Sequence, residues 1–112
     1  MKKLVLAAAA LTTLFSGCGP MTRADQIAAL TGNATAGGML YTSQACVSCH
    51  GADGKGTSSG ISLIEPARND SKVALINVLI NGVPNTGMVS YAALSNQQLA
   101  DLTTYVKGQF GK

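Results

Sequence analysis

Cys46 and Cys49 stand three residues apart, and His50 follows the second cysteine at once. Two thiols at this spacing could serve as a redox dithiol, as half of a zinc site, or as a disulfide. The adjacent imidazole adds another use. On one helical turn, residues i and i+3 share a face. Both thiols could then reach the two vinyl groups on one edge of a porphyrin and become thioethers. The next side chain would stand within reach of the iron. Cys-x-x-Cys-His is the attachment motif of covalent haem, so this stretch predicts one haem c per chain, held by Cys46 and Cys49, with His50 as an axial iron ligand. The rival uses find less support. A thioredoxin-like dithiol wants a βαβ context, and no such pattern surrounds the pair. A structural zinc site wants four ligands, yet Cys18 is the only other Cys and His50 the only His. A plain disulfide beside an incidental histidine is the remaining alternative.

Six-coordinate haem suits electron transfer, and a Met opposite the His raises the reduction potential. Three methionines follow the N-terminal segment: Met21, Met39 and Met88. Met21 falls in a stretch read as a tether. Met39 falls on a helix leading into Cys46 and reads as core filler. Met88 falls in the loop Asn81-Gly82-Val83-Pro84-Asn85-Thr86-Gly87-Met88-Val89-Ser90-Tyr91, between two well-marked helices. A loop can cross a haem face without helical constraint, so Met88 is the expected second metal ligand. Gly54-Lys55-Gly56 lacks the glycine spacing and Lys-Ser/Thr ending of a phosphate loop. Asp53 is a lone carboxylate rather than part of a calcium loop. Both read as loop formers.

The elements that must position these residues are helical. A helix is expected from Thr35 to the cysteines, with Met39, Leu40 and Tyr41 on its apolar side. Gly37 and Gly38 each weaken it by about 1 kcal/mol relative to Ala, which predicts a close backbone approach to another element. Asp70 and Ser71 offer N-caps for a second helix. Val73, Ile76, Leu79 and Ile80 follow its spacing, Leu75 and Val78 widen its apolar face, and Asn81-Gly82 stops it. That face predicts a well-buried helix. Ser95 opens a third helix through a capping box with Gln98. Leu99, Leu102 and Val106 form its stripe, and Gly108 is its expected end. No alternating strand pattern and no internal repeat is present. The fold class is all-α: three to four short helices and long loops around one covalently attached haem.

The beginning of the chain reads as a targeting segment. Met1-Lys2-Lys3 is a short basic region, and the apolar run from Leu4 to Phe15 falls short of the roughly 20 residues a membrane span needs. Its length and flanks fit a secretory signal peptide. The following Ser16-Gly17-Cys18 resembles the lipobox of bacterial lipoproteins, although Phe15 stands where that family usually has Leu. This resemblance implies cleavage before Cys18 and a lipid on its sulfur; ordinary cleavage nearby, leaving a free thiol, is the alternative. Residues 1–17 are then a signal peptide, 18–34 a lipid-anchored tether with the option of an extra packed helix, and 35–112 the haem domain. The expected location is the periplasm or cell envelope. Gly19, rather than Asp, after the cysteine points to the outer membrane.

Once Lys2 and Lys3 are removed, six Lys and Arg face five Asp and Glu. The near-neutral balance argues against nucleic acid as a partner and predicts weak long-range steering. Trp is absent and one of the two Phe lies in the signal. Small domains with thin cores often recruit a cofactor or metal. An oxidising compartment would normally close a cysteine pair into a disulfide unless a cofactor consumes the sulfurs.

With these residues in view, the chain resembles the class I c-type cytochromes in their small bacterial monohaem form, over about residues 35–110. Cys46-Val47-Ser48-Cys49-His50-Gly51 resembles the haem-attachment motif. Asn81-Gly82, Gly87-Met88 and Tyr91 resemble the methionine loop, with Val89 where the family often has Pro. Ser95 to Val106 resembles the C-terminal helix. The resemblance implies that the first and last helices cross at a glycine–aromatic contact, with Gly37 and Tyr41 facing Leu102 and Tyr105. It also implies that a backbone carbonyl between Leu63 and Pro66 accepts a hydrogen bond from His50. The implied function is single-electron transfer between redox partner proteins that dock transiently, with no substrate transformed by the protein itself. A gas-binding or sensory haem protein, and a haem subunit of an envelope oxidoreductase complex, are the alternatives. A single attachment motif counts against a di-haem peroxidase.

Overall fold

The computed structural model describes residues 20–112. The signal segment and the lipidation candidate Cys18 lie outside the described residues. Among the described residues there are six helices: α1 (Arg23–Ala28), α2 (Ala34–Ser43), α3 (Cys46–His50), α4 (Ile64–Asn69), α5 (Lys72–Asn81) and α6 (Asn96–Phe110). There is no strand among them, only an isolated bridge between Thr57 and Gly60.

α6 is the axis of the fold. Ser95 Oγ accepts from the Gln98 backbone N–H at 3.1 Å, and Gln98 Oε1 accepts from the Ser95 N–H at 2.9 Å. That reciprocal cap fixes the helix start. Leu99 and Ala100 join Ala24, Ile27 and Ile76 in one apolar cluster. Leu102 and Phe110 join Tyr41 and Ala67 in a second. The helix runs through Gly108, its expected end, to Phe110. Gly108 meets no neighbouring atoms, so its penalty of about 1 kcal/mol is the only local effect. Burying the Phe110 ring against Tyr41 and Tyr105, with centroids 5.5 and 5.8 Å away, outweighs it.

α2 crosses α6 in the most extensive helix–helix interface among the described residues. A Cβ on Gly37 would fall 2.0 Å from the Asp101 carbonyl oxygen and 2.7 Å from Tyr105 Cβ. The two backbones can approach this closely only because Gly37 has no side chain. The expected contact of Gly37 and Tyr41 with Leu102 and Tyr105 is present. Asp101, buried where no acid was anticipated, accepts from the Asn33 N–H and from Gln97 Nε2, each at 2.8 Å. It satisfies a backbone donor at the mouth of α2.

The structure completes or corrects the sequence reading at four points. Residues 23–28 take the packed-helix option rather than the tether reading. Thr22 and Asp25 form a capping box that starts α1, and Ala24 and Ile27 are buried against α5 and α6. α4 lies in a stretch to which no helix was assigned. Pro66 falls in its first turn, where a missing N–H removes no helical bond, and Lys107 Nζ donates to the Ala67 and Asp70 carbonyls at its far end. Asp70 is thus the C-cap of α4, and Ser71 alone caps α5, accepting from the Ala74 N–H at 3.1 Å. Finally, α5 is less buried than its apolar face suggests: only Ile76 is fully covered, and Val78 is 41% exposed. Leu75, Val78 and Leu79 face a cleft instead.

Candidate haem site

The cysteines and histidine lie on α3, a single turn in which the Gly51 N–H donates to the Val47 carbonyl at 2.9 Å. Ala45, just before it, takes a left-handed conformation at φ 63°. Such a backbone costs an L-residue about 1 kcal/mol and turns the chain sharply out of α2. The next loop closes over the turn. Thr57 Oγ1 donates to the Cys49 carbonyl at 2.8 Å, and Gly60 lies so close that a Cβ there would meet the same oxygen. Tyr41 Oη donates to the Gly51 carbonyl at 2.6 Å. Burial pushes the Tyr41 phenol up to about 12.

His50 Nδ1 lies 2.7 Å from the Ile61 carbonyl oxygen. A carbonyl only accepts, so Nδ1 carries a proton, and in the neutral ring the lone pair is left on Nε2. This is the tautomer a metal ligand needs, held by an outer hydrogen bond. The partner differs from the one expected between Leu63 and Pro66. The Leu63 and Pro66 carbonyls already accept from the Ala67 and Asp70 N–H groups of α4, each at 2.9 Å. Ile61 precedes that helix, and its carbonyl is free of it.

Met88 lies in the loop between α5 and α6. The Val83 N–H donates to the Met88 carbonyl at 3.1 Å. Thr86 Oγ1 donates to the Val83 carbonyl at 2.7 Å and accepts from the Met88 N–H at 3.1 Å. Gly82 adopts φ 66°, and a Cβ there would fall 2.8 Å from the Met88 carbonyl oxygen. These bonds tie the loop base in the stretch where Val89 replaces the usual Pro. On the far side, the Tyr91 N–H donates to the Leu79 carbonyl at 2.7 Å and Tyr91 Oη donates to the Gln44 carbonyl at 3.2 Å.

All four predicted residues meet in one place. Cys46, Cys49, His50 and Met88 line a single cleft of about 440 Å³. That volume lies within the roughly 300–1,000 Å³ range of cofactor sites. Its walls are mainly apolar, contributed by Leu63, Leu75, Leu79, Leu102 and Val106. Burial pushes the Cys46 thiol up, while Tyr91 beside it pulls the other way. Met21 and Met39 do not line the cleft. Met39 is 70% exposed, so its reading as core filler is overturned: it stands on the outer side of α2, whose buried residues are Gly37 and Tyr41. The role of Ile61 had no sequence signal, because any residue supplies a backbone carbonyl. Thr57 gave none either.

The donor set fits haem: two thiols on one turn, an imidazole with a free Nε2, a thioether sulfur, and an apolar enclosure. Such a helical fold and cleft define a small c-type cytochrome. Comparison with known proteins agrees. Residues 32–106 match the family model described as cytochrome c oxidase, cbb3-type, subunit III, and the chain belongs to that family of c-type cytochromes. It is also 32% identical, over 113 residues, to cytochrome c-555 of Methylococcus capsulatus (strain Bath), an alignment covering 96% of this chain and 86% of the relative. No solved structure matches the chain. Its cofactor is covalently bound haem c with iron, and its general function is haem-based electron transfer.

Proposed function

We propose that the protein is a single-electron carrier of the cell envelope, with haem c tethered by Cys46 and Cys49 and ligated by His50 and Met88. The observation that carries this reading is the convergence of all four side chains on one apolar cleft. Haem supplies a reversible one-electron change at iron. The protein's part is to fix its surroundings. Ile61 holds the imidazole in one tautomer and one orientation. The Met88 thioether, as the second ligand, favours the reduced state, and the apolar walls limit water access. On this reading the protein itself transforms no substrate. Partners are redox proteins that dock transiently on a surface of little net charge. We infer an extracytoplasmic location and a lipid anchor at Cys18. Among the described residues no helix is long and apolar enough to cross a membrane.

The description of the matching family favours a second reading, in which the chain serves as a haem subunit of an oxidase complex. Co-purification from envelope membranes distinguishes the two: a free carrier elutes alone, and a subunit elutes with its complex. The ligation test is spectroscopic. Visible spectra of the holoprotein, oxidised and reduced, are recorded with and without carbon monoxide. A low-spin spectrum unchanged by carbon monoxide supports the carrier. A high-spin spectrum that shifts with carbon monoxide indicates an open iron site and overturns it in favour of gas binding or sensing.

A further inference from the structure

The methionine loop leaves α5 on bonds of its own, but its exit into α6 is held from elsewhere. Arg23 Nε donates to Asn96 Oδ1 at 2.9 Å, and its two terminal nitrogens donate to the Ala92 carbonyl at 2.9 Å and the Leu94 carbonyl at 2.8 Å. A guanidinium has a rigid fork of donors, and here each of its three nitrogens binds one five-residue stretch. Charged donors make the stronger hydrogen bonds. Arg23 is itself held at the first position of α1, whose Ala24 and Ile27 are buried in the core. α1 lies before residue 32, where the match to the family begins.

The stretch matters because of what precedes it. Ala92 follows Tyr91 directly, and the Tyr91 N–H is tied to the Leu79 carbonyl at 2.7 Å. The segment from Met88 to Ala92 is therefore pinned at its exit between α5 on one side and the Arg23 fork on the other. A thioether bound to iron depends on where that segment lies. A loop that can swing exposes the iron to competing ligands.

We propose that Arg23 is a positioning residue for Met88: α1 braces the methionine loop and so sets how firmly the thioether holds the iron. This rests on the reading of Met88 as the ligand. The test measures displacement of the thioether from the ferric holoprotein by added imidazole, followed in the visible spectrum, together with the thermal midpoint. Arg23→Ala should tighten apparent imidazole binding about tenfold, the loss expected for hydrogen bonds from one charged group. Arg23→Lys, which can keep one of the bonds, should fall between it and the wild type. Phe110→Leu lowers stability through the core at the far end of α6 without touching the clamp, and should leave imidazole affinity unchanged. Arg23→Ala that binds imidazole as the wild type does, or no more tightly than Phe110→Leu, overturns the inference. Met88→Ala is the check on its premise. If its ferric spectrum equals the wild type, the ligand assignment itself falls and the inference with it.

Discussion

The two sides of the cleft are built differently. On the histidine side, the bonds that fix the chemistry span short stretches of chain: His50 to Ile61, Thr57 to Cys49, and Tyr41 to Gly51. On the methionine side, the loop's own turn and the Tyr91–Leu79 bond are local, but its exit is also held from Arg23 and Gln44, far away in the chain. The first side is close to a preformed site. The second exists only once α1, α2 and α5 have assembled. Local anchoring suits covalent attachment, which needs an ordered turn to present two thiols. Long-range anchoring makes the position of the Met88 loop responsive to the whole fold.

The largest way to break this contrast is at the tethers. The double variant Cys46→Ser/Cys49→Ser should leave no haem on the denatured polypeptide, as mass spectrometry of the unfolded chain would record. Next is the helix crossing on which both sides rest. Gly37→Ala drives a methyl into the Asp101 carbonyl, so we expect a loss of about 3 kcal/mol in denaturant unfolding of the holoprotein.

How much of this was legible in the sequence follows the same division. The attachment turn was readable because its chemistry is compressed into five residues. The second and third helices were readable because Ser71 and Ser95 announce their starts by side-chain chemistry. Met88 was singled out by its place in a loop between them, and it lines the same cleft as His50. The Ile61 carbonyl could not be found, since backbone acceptors carry no residue signature. The α1 brace was obscured because six residues are too few for a convincing periodicity, and burial of Ala24 and Ile27 depends on the rest of the core. The exposed apolar residues of α5 misled for an instructive reason. Leu75 and Val78 were read as partners for protein atoms, and they line the cofactor cleft.

A pH experiment sharpens the histidine side. Tyr41 is pushed up to about 12 by burial. A folded-state value above that of the unfolded chain means that the folded protein favours the neutral phenol. The stabilisation is complete below about pH 10 and is lost as pH rises through 12. Unfolding free energy should fall over that window, and Tyr41→Phe should flatten the fall at the price of the Gly51 hydrogen bond.

The smallest effects separate the two sides most cleanly. Tyr91→Phe removes the bond to the Gln44 carbonyl, and Thr57→Val removes the donation to the Cys49 carbonyl together with the bond accepted from the Ser59 N–H, at about 1 kcal/mol for each bond. In Tyr91→Phe the spectral signature of methionine ligation should melt at a lower temperature than the helices. In Thr57→Val the two should melt together. Coincident melting in both variants would erase the distinction between a locally built and a remotely held side.

The most direct test of the central claim is the near-infrared spectrum of the ferric holoprotein, compared among the wild type, Met88→Ala and Met39→Ala. With His50 and Met88 on the iron, a sulfur-to-iron charge-transfer band is present in the wild type, persists in Met39→Ala and disappears in Met88→Ala. A band that survives in Met88→Ala, or a wild-type spectrum without one, contradicts the account.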